Sequence, residues 1–164
     1  MIYFGFGQKY ILDFDQEQIA KDNAEELCRI SKNWPNKFGL ECSRLEDFQK
    51  RCSCNYGEIA TGGVYDIPWV PKVNNFTGPD LGEKIQVRTL TCKDLYIRPK
   101  DFEKYPDHWF VLVHGQYPCP IMWVVGHINC TKATRIGWWG TPNDRPPCWW
   151  IKPEQLKAAP SYPF

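Results

Sequence analysis

The stretch with the most capacity for chemistry is Gly78-Pro79-Asp80-Leu81-Gly82-Glu83-Lys84-Ile85-Gln86-Val87-Arg88. On an extended strand, side chains two apart share a face. Gln86 and Arg88 therefore point one way, toward a cleft or solvent, while Ile85, Val87 and Thr89 fill the opposite, core side. Asp80 ends the preceding segment and can meet that pair across a tight hairpin. The plainer reading of Asp80 is a turn residue, because Pro-Asp pairs are common turn formers. Arg88 is either a phosphate contact or half of a surface ion pair, and Glu83 either a competing carboxylate or a solvated loop residue.

Other reactive side chains are less organised. His108, His114 and His127 lie at the ends of apolar runs, where a single satisfied histidine is the usual outcome. No Ser/His/Asp arrangement is evident, and Gly5-Phe6-Gly7 lacks the third glycine and following helix of a dinucleotide fingerprint. The eight cysteines include one close pair, Cys52-x-Cys54, with no second knuckle or neighbouring His to complete a zinc site. They read as reduced, small apolar side chains. Two tryptophan pairs, Trp138-Trp139 and Trp149-Trp150, stand near Arg135, Arg145 and Lys152. Neighbours on a strand face opposite ways, so one ring of each pair is free either to stack on unpaired bases or to cap a small core. On the stacking reading, Trp138, Trp149 and the three cations form a nucleic-acid face.

Two helices and a set of strands must position these groups. Ile2 to Phe6 and Tyr10 to Phe14 read as strands of a hairpin, and a capping arrangement at Asp15 to Gln18 starts a helix that ends near Lys32. Ser43 and Glu46 cap a second helix, about 44–61, in which Leu45, Phe48, Cys52, Tyr56 and Ile59 recur every three or four residues. Gly62-Gly63 is the expected stop. Strands then follow at 85–92, 95–98, 109–113, 121–128, 136–139 and 148–151, with a helical turn at 153–156. The predicted class is α+β: N-terminal helices packed on a mixed central sheet within one domain, 1–164.

The Pro-Asp followed by a polar residue, any residue and a cation on one strand face resembles the PD-(D/E)XK nuclease superfamily. In that superfamily the Asp and a strand acid bind Mg2+, a Lys orients or activates the attacking water, and an upstream helix often adds a Glu. Glu58, in Tyr56-Gly57-Glu58-Ile59-Ala60, matches that helix Glu. The runs Ile67-Pro68-Trp69 to Gly78-Pro79-Asp80, and Arg145 to Pro153, are similar to phage-encoded members, which carry Glu-Val-Arg where this chain has Gln86-Val87-Arg88. The likeness covers about 44–156, leaving the first forty residues unmatched and a short Pro-containing tail at 153–164.

The resemblance implies a restriction-endonuclease-like core and a Mg2+- or Mn2+-dependent nuclease. Asp80, Glu58 and the Gln86 amide would hold the ion, and Arg88 would bind the scissile phosphate. Two departures matter. Gln86 removes a negative charge from a hard-cation site, and Arg88, unlike Lys, stays protonated and cannot serve as a base. The alternative is therefore a catalytically silent fold that binds nucleic acid or a host protein.

Composition bounds both readings. At 164 residues and 43% apolar content the chain suits one folded domain, and its 15% aromatic content leaves rings for a binding face. Residues 1–83 carry 9 basic and 13 acidic side chains, whereas 84–164 carry 11 and 6, so the C-terminal half is the one suited to phosphates. No 18-residue apolar run or secretion signal is apparent. The expected setting is cytoplasmic (of a host cell if phage-encoded), with nucleic acid, most simply DNA, as partner. No membrane association is expected, and pairing into a homodimer is an option.

Overall fold

The computed structural model describes residues 7–31, 44–73, 77–91, 94–141 and 146–161. Strand β1 (Gln8–Ile11) leads into helix α1 (Phe14–Ser31) and then α2 (Arg44–Tyr65). Strands β2 (Ile85–Leu90) and β3 (Leu95–Ile97) precede the short helix α3 (Pro99–Lys104). Next come β4 (Trp109–His114), β5 (Ile121–Asn129), α4 (Cys130–Ile136), β6 (Trp138–Gly140), β7 (Cys148–Ile151) and β8 (Lys157–Ala158). The chain is thus α+β, and no described helix is long and apolar enough to cross a membrane.

The strands form two sheets where the sequence suggested one. The larger runs β1-β5-β4-β2, with β8 also on β5, and is mixed because β2 and β4 are parallel. The smaller is antiparallel, in the order β3-β7-β6. On one face of the large sheet, Val87, Val111 and Val113 meet Tyr56, Ile59 and Ala60 of α2 and Ala20 of α1. On the other, Phe110, Leu112 and Val125 meet Leu95, Ile97 and Ile151 of the small sheet and Ala133 of α4. This double burial explains why β4 and β5 are continuous apolar runs. Each fully buried Val or Leu contributes about 1.5–3 kcal/mol.

Several sequence expectations shift by one local interaction. The strand expected through Phe14 stops at Ile11, because Asp13 caps α1: its Oδ1 accepts from Gln16 N at 2.8 Å while Gln16 Oε1 accepts from Asp13 N at 3.1 Å. The segment 2–6 and the Ser43 cap lie outside the described residues. Helix α2 continues through Gly62-Gly63 to Tyr65 and turns at Asp66, whose φ is 56°. A side chain at Gly63 would strike the Tyr10 ring, so this glycine serves close packing and does not end the helix. Helix α4 fills a stretch where no element was expected, so the strand expected from Ile136 begins at Trp138 instead. The cap of α4 is Asn129, whose side chain accepts from Thr131 N at 3.1 Å.

Gly57 sets the distance between α2 and β2. A Cβ there would lie 1.8 Å from Thr89 Oγ1 and 3.0 Å from Thr89 Cβ. Gly57→Val is expected to lower unfolding free energy by about 2 kcal/mol, since overpacking outweighs the gain in helix propensity. Urea denaturation at neutral pH checks this, with an unchanged or raised midpoint as the contrary result.

Candidate functional site

Strand β2 is an edge of the large sheet, so one row of its backbone groups needs partners from elsewhere. Asp80 supplies them. Its N–H donates to Ile85 O at 2.8 Å and its Oδ2 accepts from Val87 N at 2.6 Å, placing the carboxylate between the flanking residues Gln86 and Arg88. Helix α2 brings Glu58 to the same cleft, of about 600 Å3, where it lies with Asp80, Gln86 and Arg88. Trp69 Nε1 donates to Glu58 Oε2 at 2.7 Å. The four residues assigned to the core of the site from sequence are therefore gathered in one place. Glu83 is exposed and is not part of the cleft lining.

Both carboxylates are half-buried, and desolvation makes the pair unusual. Desolvation raises Glu58 first and the Asp80 charge raises it further, to about 8, against the opposing effects of Trp69 and Lys72. Asp80 is also raised, again mainly by desolvation, although the Val87 amide, Arg88 and Lys72 pull the other way. Cys54 lines the cleft as well, and its thiol is pushed up to about 11 by desolvation and then by the charges of Glu58 and Asp80.

Lys72 was not singled out by sequence. Its ammonium donates to the carbonyl of Pro79 and, at 3.1 Å, to that of Asp80, so it fixes the turn that presents the carboxylate. It sits in an irregular run without periodicity, and no local signal marks it. Asp101 was missed for a different reason, being thirteen residues beyond Arg88, where the recognised pattern ends. It accepts from the Arg98 guanidinium at 2.8 Å through both oxygens and from the Arg98 backbone N–H at 3.0 Å, and it pairs with Arg88 at 3.2 Å. These contacts hold Asp101 below the usual carboxylate range despite its burial.

Arg88 is thus an ion-pair residue, but a mostly buried one facing the cleft and not a surface pair. Its guanidinium also lies 5.2 Å from the Phe110 ring centroid, and among the described residues its buried Nε–H has no hydrogen-bond partner. Val87 is buried as expected, but so is Gln86, at 4% exposure. The Gln86 amide nitrogen lies 3.4 Å from His108 Nδ1. Burial lowers His108. His127 is fully buried against the Tyr65 hydroxyl at 2.8 Å, which together with burial and a level near 4 marks it as structural.

Removing either end of the Arg88–Asp101 pair is expected to have unequal consequences. Arg88→Ala leaves Asp101 satisfied by Arg98 and should cost about 1 kcal/mol. Asp101→Ala strands a buried guanidinium and uncaps α3, and should cost about 2 kcal/mol. Urea midpoints of the two variants, measured side by side, give the order; a larger loss for Arg88→Ala would contradict it.

The C-terminal candidates are arranged differently. Arg135 and Lys152 are exposed and, like Trp138 and Trp149, do not line the cleft; Arg145 lies outside the described residues. In the β6–β7 register Trp138 pairs with Trp150 and Trp139 with Trp149. Trp138 and Trp149 therefore occupy opposite faces of the small sheet. Trp149 packs on Phe102 at 5.9 Å, while Trp138 is 65% exposed. The six described cysteines are free thiols; Cys42 and Cys92 lie outside the described residues.

The donor set suits a hard divalent cation. Two carboxylates and an amide line one cleft, each carboxylate has one oxygen engaged among the described residues, by Trp69 or Val87, and positive charge would relieve their mutual repulsion. Among the described residues no cluster of three or more His, Cys, Asp or Glu is present, but Mg2+ commonly takes only one or two protein carboxylates. No protein-family model matches the chain, and neither does any curated protein or solved structure.

Proposed function

We propose that the chain is a Mg2+- or Mn2+-dependent phosphodiesterase acting on nucleic acid, with DNA as the simplest substrate and a restriction-endonuclease-like, PD-(D/E)XK arrangement of the site. The observation that carries this reading is the pair of half-buried carboxylates Glu58 and Asp80, both raised above their ordinary range by desolvation, in a cleft also lined by Lys50, Arg51, Lys72, Arg98, Lys100 and Lys104. Paired carboxylates and several cations in one lining fit a divalent ion and a phosphodiester together.

Asp80, Glu58 and the Gln86 amide would hold the ion, which when bound supplies positive charge at the reacting phosphate. Asp80 is oriented by the Val87 N–H, so its other oxygen remains for the cation. Desolvation and the neighbouring Asp80 favour the protonated form of Glu58, and a cation held here would favour its release. The buried Nε–H of Arg88 donates to a non-bridging phosphate oxygen, while Asp101 fixes the guanidinium plane. Lys72 keeps the Asp80 turn in place.

A silent binder is the second reading, favoured by one observation: Arg88 is already paired with Asp101. A cleavage assay on single- and double-stranded DNA and RNA with Mg2+ or Mn2+, run beside a binding titration at two salt concentrations, decides between them. Metal-dependent cleavage supports the nuclease. Salt-sensitive binding without cleavage supports the binder, and the absence of both overturns nucleic acid as partner.

A further inference from the structure

We infer that the outer face of the small sheet is a stacking track for an unpaired DNA strand leaving the cleft, an inference that rests on the nucleic-acid reading above. Tyr96, Trp150 and Trp138 stand side by side on three adjacent strands, since Tyr96 pairs with Trp150 and Trp150 with Trp138. The core-facing side of this sheet is made instead by Leu95, Ile97, Trp149 and Ile151. The ladder begins at the cleft: the Arg88 guanidinium lies 5.8 Å from the Tyr96 ring centroid, and Tyr96 lies 5.7 Å from Trp150.

Two further features suit a nucleic-acid strand. Lys152, exposed and directly following β7, places a cation next to the Trp150 strand where phosphates would run. Gly140 leaves room for the ladder's last member: a Cβ there would lie 2.0 Å from the Trp138 ring, which folds back over the strand. An indole held flat and 65% exposed offers its π-face to a base. Trp150 Nε1 donates to Gly140 O at 3.4 Å, so that group is not offered to a ribose hydroxyl, and the rings select bases without selecting RNA.

The test is fluorescence anisotropy of the full chain in EDTA, with a labelled oligothymidylate and an abasic strand of equal length. The abasic strand carries the same phosphates but nothing to stack, and is expected to bind about tenfold more weakly. Trp138→Ala should weaken oligothymidylate binding about tenfold, whereas Trp139→Ala, which removes an exposed ring from the opposite face, should leave it unchanged. Equal binding of the two strands, or equal losses in the two variants, overturns the track. Tighter binding of oligouridylate than of oligothymidylate overturns its assignment to DNA. Because the titration uses no metal, a failure of the nuclease reading appears separately, as cleavage that is absent or that survives loss of Asp80.

Discussion

Asp80→Asn is expected to reduce Mg2+-dependent cleavage by at least about a thousandfold, equivalent to about 4 kcal/mol of lost transition-state stabilisation. The substitution is nearly isosteric, and the Asn oxygen can still accept from Val87 N, the bond that ties the turn to β2. Fold and cleft should therefore persist. Stability should be equal or greater, because a desolvated carboxylate is removed from beside Glu58. Nucleic-acid affinity without metal should likewise be equal or greater, since one negative charge near the phosphate is gone. A cleavage time course beside an anisotropy titration in EDTA reads both quantities. Cleavage that survives the substitution would exclude this cleft as the catalytic centre. Loss of binding along with cleavage would show that Asp80 acts through the fold. Gln86→Glu is the complementary change: it supplies the missing anion, but at a position only 4% exposed, so without metal it adds a third desolvated carboxylate.

How much of this was legible in the sequence depends on the range of the interaction involved. Strands β3 through β5, and β7, follow from apolar alternation or continuity, and the extent of β2 follows likewise, although its burial does not alternate: Gln86 is buried beside Val87. Asp80, Gln86 and Arg88 could be brought together from a hairpin and strand alternation, which are short-range constraints. Glu58 came only from the resemblance to nuclease motifs, because the packing of α2 on β2 is a long-range contact. Lys72 and Asp101 escaped because their roles are contacts across the cleft: one ties a loop carbonyl and the other neutralises a cation thirteen positions earlier. Gly62-Gly63 misled for a related reason. A glycine pair after a helical pattern reads as a stop, but here the nearby Tyr10 ring and Ile67 carbonyl explain it. The tryptophans show the same division. Alternation puts the two rings of each pair on opposite faces but does not bury one of them in the first pair, where Trp138 and Trp139 are both exposed. Only the register between β6 and β7 reveals that Trp138 shares its face with Trp150.

The second large effect is on pH. Glu58 keeps its proton up to about 8 in the folded chain, against an ordinary value of 4.5, and Asp80 is shifted in the same direction. Between these limits the folded state binds a proton that the unfolded state has released, so stability must fall as pH rises. The cleanest window is pH 6.5 to 8.5. Below it, His108 and His127, whose folded values are lowered, make stability rise with pH and mask the effect. Above it, buried thiols such as Cys52, raised to about 12, add a loss of their own. Within the window the metal-free chain should lose about 2 kcal/mol, and Glu58→Gln should remove most of that slope. The same proton opposes cation binding, so Mg2+ affinity should rise about fiftyfold from pH 6 to pH 8. Urea denaturation in EDTA at the two ends of the window measures the first quantity. Calorimetric titration with Mg2+ in buffers of different ionisation enthalpy measures the second and counts the proton released. A metal-free stability that is flat or rising across the window would remove the desolvated carboxylate pair as the basis of the site. A slope present without Mg2+ affinity at either pH would leave the pair intact but assign the cleft to binding alone.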